Sequence, residues 1–230
     1  PTYGFTLADG TYVIKSLGYF TLQYQFEKFP IGREDEIIYN KAIQWGFDAS
    51  RGSELDVLDR FYKAVKNDKP DWIVRVTSDC PLIDPKLVDS IISFVQQKNV
   101  DYGSNTFVEK FPDGQDVEVF KFSALETAWK SAKLQSEREH VTPYIRNNSD
   151  FNGGVLFKAI NFPCKFDYSK IRMTVDEIRD FELIKRLIEE IGVDQTWLKY
   201  TNYIIENDLG IINNSIIRNE GLKTSLKNDK

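Results

Sequence analysis

Two aspartates sit where metal-assisted phosphoryl chemistry would need them. Asp79 lies two residues past the apolar run Asp71-Trp-Ile-Val-Arg-Val-Thr77 and just ahead of a helix signal. Asp176 closes a second run, Ile171-Arg-Met-Thr-Val175, and again precedes a helix signal. In open α/β sheets, ligands bind in the loops beyond the carboxyl ends of strands. Mg²⁺ is commonly held there by one or two carboxylates together with substrate phosphates. Taken singly, Asp79 reads equally well as a turn residue and Asp176 better as a helix N-cap. As a pair at two strand ends, they point to a divalent ion beside a nucleotide.

Further polar groups cluster in short segments. Asp116 and Glu118 are two apart on one strand signal, so both project to one face. Acids on an interior strand are costly unless they meet a polar environment. Arg138, Glu139 and His140 open a short helix. The lone imidazole could be a base, a sugar hydrogen-bonding group or a satisfied structural group, and the last is the commoner fate. Arg51 and Ser53 flank Gly52 in a turn before a helix, where backbone N–H groups favour anions; turn chemistry explains them equally well. Cys80 has no basic neighbour that would activate a thiolate, so it reads as small core filler. Neither a P-loop nor a dinucleotide fingerprint is present.

The elements that must position these groups alternate between strand and helix. Residues 71–77, 115–122, 154–160 and 171–175 read as strands, each short and rich in β-branched or aromatic residues. Asp84-Pro85 supplies an N-cap and a proline at N1 for a helix carrying Leu87, Val88, Ile91, Ile92 and Val95. Residues 36–45 read as a helix with Ile37, Ile38, Ala42 and Ile43 on one side. Capping-box patterns begin at Ser53, Ser123 and Ser136. Phe181, Ile184, Leu187, Ile188 and Ile191 form an apolar helical stripe that ends near Gly192. Beyond Asp194, one helix around Trp197, Tyr200 and Ile204 precedes a polar arm. This alternation predicts an α/β fold with a mostly parallel central sheet flanked by helices.

Composition narrows the class. Of 230 residues, 41% are hydrophobic and 28% charged, the balance of a globular chain with a sizeable core. Thirty Lys+Arg against 35 Asp+Glu leave a net charge of -5, which argues against general affinity for a nucleic-acid polymer. No apolar run approaches the roughly 18 residues of a membrane helix, so no membrane insertion is expected. Two isolated cysteines and a single histidine exclude Cys- or His-based metal sites, leaving carboxylates to carry any metal chemistry. The cysteine usage suits a reducing cytoplasm.

Five ordered motifs resemble a known family. They are Arg51-Gly-Ser-Glu-Leu-Asp-Val-Leu-Asp-Arg60, Arg75-Val-Thr-Ser-Asp-Cys-Pro-Leu-Ile-Asp84, Gly114-Gln-Asp-Val-Glu-Val-Phe120, Arg138-Glu-His-Val-Thr-Pro-Tyr144, and Arg172-Met-Thr-Val-Asp176 followed by Asp180-Phe-Glu-Leu-Ile184. Together with Arg218-Asn-Glu-Gly-Leu-Lys-Thr-Ser-Leu226, they resemble the spore-coat polysaccharide biosynthesis cytidylyltransferases. These are relatives of the acylneuraminate and 3-deoxy-manno-octulosonate enzymes. The resemblance runs from about Glu36 to the C-terminus.

It implies a glycosyltransferase-A-like, Rossmann-related nucleotidyltransferase domain over residues 1–193, with a C-terminal helix and polar tail over 194–230 packed on it. It also implies CTP and an acidic sugar as substrates, a CMP-sugar and pyrophosphate as products, Mg²⁺ as cofactor and a homodimer. By the same resemblance, Asp79 and Asp176 hold the metal. Arg51, Ser53, Asp56, Thr77 and Ser78 surround the nucleotide, while Asp116, Glu118, Arg138 and His140 face the sugar.

The N-terminal part departs from the pattern. The family opens with a strand and a phosphate-gripping loop, Gln-Ala-Arg-x-Gly-Ser-x-Arg-Leu-Pro-Gly-Lys. Here Ala8 and Tyr12 fall at its cationic positions, which leaves Lys15 as the nearby catalytic cation. A second strand contracts to Pro30-Ile-Gly-Arg33, and the usual Thr-Pro-Glu-Asp becomes Glu177-Ile-Arg-Asp180. The alternative is therefore a catalytically impaired member, acting as a sugar- or nucleotide-binding or interaction subunit. A glycosyltransferase sharing the fold would need an Asp-x-Asp pair, which is missing near Asp79.

Overall fold

The computed structural model describes residues 2–6, 12–16, 39–40, 43–44, 46–47, 49–53 and 55–229. Thr2–Thr6 (β1) and Tyr12–Ser16 (β2) form an antiparallel hairpin, a two-stranded sheet of its own in which Lys15 is paired with Tyr3. Ala8, the contracted segment 30–33 and most of the helix expected over 36–45 lie outside the described residues. Within that helix, residues 39–40 and 43–44 are helical.

The main sheet has four strands, β3 (Trp72–Arg75), β4 (Tyr102–Ser104), β5 (Glu118–Lys121) and β6 (Ala159–Asn161), in the order β3-β5-β4-β6. β5 runs antiparallel to both β3 and β4, while β4 and β6 are parallel. The sheet is mixed, which corrects the expectation of a mostly parallel one. The reason lies in the connections. α2 (Pro85–Lys98) carries the chain back between β3 and β4, so those two strands share a direction. No helix lies between Ser104 and Glu118, so the chain returns in the opposite sense, as a connection without a crossover requires.

β5 is buried on both faces and separates two layers. Phe120 joins Ile73 and Tyr102 against Leu58 and Phe61 of α1 (Val57–Val65) and Leu125 of α3 (Phe122–Ser131). Val119, with Val117 just before the strand, faces Val88, Ile91 and Val95 of α2. This is the two-residue alternation of a strand turned to two cores. A third cluster packs Met173 and Leu82 on Leu183 and Leu187 of α6 (Ile178–Ile191) and on Tyr200 and Ile204 of α7 (Trp197–Glu206). Asp84 joins that layer to α2, because its two oxygens accept from Lys86 N and Trp197 N at 2.8 and 3.0 Å.

Several local expectations shift. α1 is capped by Asp56, which accepts from Asp59 N at 3.0 Å, and Ser53 instead accepts from Asp56 N at 3.1 Å. Lys121 precedes α3 without a side-chain cap, so Ser123 lies inside the helix. At α4 (Gln135–His140), Glu137 accepts from Leu134 N at 3.2 Å, and Asp229 from the chain end binds both N and Oγ of Ser136. Of the stretch 154–160, only its end joins the sheet. Segment 171–175 is extended but holds on by single bridges rather than as a sheet strand. The polar arm folds back and ends in a helix, α8 (Glu220–Asn228).

Candidate functional site

Asp79 and Asp176 are brought together by backbone. β3 ends at Arg75, and the chain turns through Thr77–Cys80, with Cys80 N donating to Thr77 O at 3.4 Å. The carbonyl of Asp79 then accepts from Val175 N at 2.8 Å and from Thr174 Oγ1 at 3.1 Å. Segment 171–175 is pinned on its other side by the loop before β5. There Asp113 N donates to Ile171 O at 2.9 Å, and Met173 N donates to Asp113 O at 2.7 Å. Gly114 makes that approach feasible. Its φ is +94°, and a Cβ there would lie 2.6 Å from Met173 C and 2.7 Å from Thr174 N.

Neither aspartate serves as a helix cap. The N-terminus of α6 is capped by Asp180, whose Oδ2 accepts from Asp176 N and Glu177 N, both at 3.1 Å. That leaves the Asp176 carboxylate 55% exposed, with one oxygen on Arg172 Nη2 at 2.5 Å. Asp79 is half-buried, and its Oδ1 accepts from the Cys80 thiol at 3.4 Å. Burial, and then the Asp79 charge, push that thiol well up, so Cys80 remains a neutral donor in the core.

Arg172 is the hub of this region and was given no role from sequence. Its buried guanidinium reaches Asp180 Oδ1 at 2.9 Å, Asp113 Oδ2 at 2.7 Å and Asp176. Asp180 is fully buried and takes a further hydrogen bond from Asn213 Nδ2 at 2.8 Å. Its carboxyl is resisted by burial, yet Arg172, Asn213 and the two main-chain N–H groups hold it below its ordinary value. Asp113 goes the other way. Burial outweighs Arg218 and Arg172, and the nearby charges of Asp79 and Asp176 add to the upward push.

The groups expected around the sugar divide into separate networks. Asp116 lies two residues ahead of β5 and accepts from Arg218 Nη2 at 2.6 Å. Glu118 is buried. It accepts from Arg75 at 2.5 Å on one oxygen, and from Tyr102 at 2.5 Å and Thr142 at 2.6 Å on the other. Burial opposes its charge, but Arg75, Arg146 and the two hydroxyls hold the carboxyl below the usual range. The Tyr102 phenol is pushed up by burial and by Glu118, so it stays a donor. Arg146 from α5 (Pro143–Asn147) feels the charge of both Glu118 and Asp116 and stacks over Phe107 at 5.0 Å. Arg138 pairs with Asp56 at 2.5 Å and donates to Trp129 O at 2.9 Å. His140 Nε2 lies 3.1 Å from Ser225 Oγ of α8.

Around the expected nucleotide, the Arg51 guanidinium lies 5.7 Å from the Tyr39 ring centre. Gly52 lets that loop lie on the buried Arg60 side chain, whose Cγ would be 2.6 Å from an added Cβ. Thr77 Oγ1 is 3.2 Å from Cys80 Sγ, and Ser78 shares the same turn as Asp79. Lys15 belongs to the hairpin. Tyr102, Thr142, Arg146, Arg172 and Arg218 were missed as site residues. Thr142, Arg172 and Arg218 carried a signal, since all three stand inside quoted motifs.

A family model described as cytidylyltransferase matches residues 34–207. The chain belongs to the cytidylyltransferase family. The match takes in all the expected site residues except Lys15, and it stops short of Arg218. An uncharacterised protein of Methanocaldococcus jannaschii is 42% identical over 169 residues, covering 71% of this chain and 66% of that protein. The spore coat polysaccharide biosynthesis protein SpsF of Bacillus subtilis is 36% identical over 160 residues, covering 69% of this chain and 64% of that protein. The matched region is thus just under two thirds of the length of both curated relatives. The solved structure of a cytidylyltransferase from Leptospira borgpetersenii superposes with a TM-score of 0.72 at 32% identity, covering 82% of this chain and 78% of the other. No helix among the described residues is long and apolar enough to cross a membrane.

Proposed function

We propose that this cytidylyltransferase-family chain transfers a cytidylyl group from CTP to an acidic sugar, releasing pyrophosphate, for surface polysaccharide synthesis. The observation that carries the reading is the main-chain tie between Asp79 and Val175, which brings the turn holding Asp79 against the segment that leads into Asp176. Among the described residues, no group of three or more His, Cys, Asp or Glu is arranged to hold a metal. Two carboxylates suit Mg²⁺, which keeps several waters and takes its remaining ligands from substrate phosphates. Asp79 and Asp176 would hold it, and the bound ion would supply charge neutralisation on the phosphates.

The chain's own residues do the rest. Arg172 keeps Asp176 oriented, and the Thr77–Asp79 turn presents main-chain and hydroxyl groups to the nucleotide. Asp116 on the sugar side is set beside Asp113. The sugar hydroxyl forms the new bond to the α-phosphorus as the bond to pyrophosphate breaks. Pyrophosphate release by the full chain with CTP, Mg²⁺ and a panel of acidic sugars tests the reading. Absence of turnover by a correctly folded protein refutes it.

A second reading is favoured by one observation. Lys15, the expected phosphate cation, lies within a strand of a separate hairpin rather than in a loop after a strand of the main sheet. A member without phosphate-gripping cations would bind sugar or nucleotide but lose orders of magnitude in rate. Calorimetry of CTP with Mg²⁺ separates the two. Tight, Mg²⁺-dependent binding supports the enzyme, and its absence supports the binding subunit.

A further inference from the structure

The C-terminal arm reaches into the carboxylate end of the molecule. Arg218 Nη2 donates to Asp116 at 2.6 Å, Nη1 donates to Phe111 O at 3.2 Å, and Nε stands 3.5 Å from Asp113 Oδ1. Asp113 uses its other oxygen for Arg172, which in turn holds Asp176. Charges therefore alternate without a break from Asp176 through Arg172, Asp113 and Arg218 to Asp116. The arm is fixed on both sides of Arg218. Asn213 binds Asp180, Asn219 donates to Glu109 at 3.0 Å, Ser225 donates to Glu139 at 2.8 Å, and Asp229 receives Ser136 at 2.6 Å. A buried guanidinium is costly to desolvate and is useful chiefly where carboxylates offset its charge. Arg218 is 14% exposed and spends two of its nitrogens on carboxylates of one loop.

We infer that Arg218 is a positioning residue of the acceptor side: it fixes the Asp116 carboxylate against the loop that carries Asp113. The inference rests on the proposed transfer reaction for the meaning of "acceptor", but the pairing itself does not. Without Arg218, Asp116 would face the charges of buried Asp113 and exposed Glu109, both of which repel its own. Arg146 would remain as a more distant cation.

The test compares Arg218→Ala and Arg218→Lys with Asp229→Ala in the full chain. Asp229 anchors the same arm at Ser136, away from the carboxylates. Pyrophosphate release is followed with N-acetylneuraminate and 3-deoxy-manno-octulosonate as acceptors. Arg218→Ala should raise the acceptor KM about tenfold while the CTP KM stays within about twofold, the split expected when only acceptor binding is touched. Arg218→Lys should recover part of the loss. Asp229→Ala should lower the melting temperature without moving the acceptor KM. An equal KM effect from Arg218→Ala and Asp229→Ala, or a loss of melting temperature alone, overturns the inference.

A wild-type chain that uses neither acceptor counts against the proposed reaction on those sugars. The pairing is then judged by carbon NMR of the Asp116 carboxyl. Its midpoint should rise by about one unit in Arg218→Ala and stay in place in Asp229→Ala. A midpoint that Arg218→Ala leaves unmoved overturns the inference whatever the activity.

Discussion

The main-chain N–H of Val175 donates to the carbonyl oxygen of Asp79 at 2.8 Å, although the two residues are far apart in sequence. The turn holding Asp79 and the segment leading into Asp176 are therefore joined through backbone, while Arg172 holds the Asp176 carboxylate itself. Replacing either acid by its amide leaves that tie intact. Asp79→Asn should lower pyrophosphate release about 100-fold or more, since a carboxylate that would hold Mg²⁺ beside the phosphates is lost. Its melting temperature should stay within about 3 °C of wild type, a shift of about 1 kcal/mol for a chain this size. Undiminished turnover in Asp79→Asn would remove Asp79 from the mechanism.

Gly114 bears on the same segment from the opposite side. Its positive φ is one that L side chains rarely adopt, and a Cβ would collide with the backbone of Met173 and Thr174. Gly114→Ala should cost roughly 2–4 kcal/mol, combining backbone strain with a forced shift of packed main chain. Urea unfolding measures it. A cost below about 0.5 kcal/mol, the size of an ordinary surface change, would mean that the loop and segment 171–175 separate freely.

Arg172→Met keeps much of the side-chain volume but strands Asp180, which is fully buried. Breaking a buried pair from one side typically costs 3–5 kcal/mol, roughly what is expected here. The double variant Arg172→Met/Asp180→Asn should recover part of that cost, because the fully buried side chain at 180 no longer carries a charge. Absence of recovery in chemical denaturation would place the loss in packing rather than charge.

How far the sequence alone could lead depended on the range of the interactions involved. The start of α2 was readable at Asp84-Pro85, because cap chemistry acts over a few residues. The turn holding Asp79 followed from the apolar run that ends before it. On α6, however, the core takes Leu183, Ile184 and Leu187, while Phe181 of the expected stripe is 57% exposed. That helix offers apolar residues on more than one side, and Met173 and Tyr200 choose the side actually buried. Strand direction was unreadable, since it depends on segment 105–117 returning without a helix. The pairs Asp56–Arg138 and Asp116–Arg218 join residues 82 and 102 positions apart, which no local pattern encodes.

Asp116 should leave its mark on stability as a function of pH. Burial pushes its carboxyl up from an ordinary 3.8 to about 6, with Asp113 and Glu109 adding to the rise and Arg218 opposing it. Between those values, the folded protein keeps a proton that the unfolded chain has released. Stability from this group is therefore whole below about 3.8 and is lost as pH climbs through about 6. Asp116→Asn cannot ionise and escapes that loss. Its stability relative to wild type should improve by about 2 kcal/mol between about pH 4 and pH 7. Urea unfolding of both proteins across that range checks the sign as well as the size. A difference that stays flat would mean that Arg218 offsets the whole burial cost. A difference that shrinks would mean that the ion pair holds the carboxylate more tightly than water does.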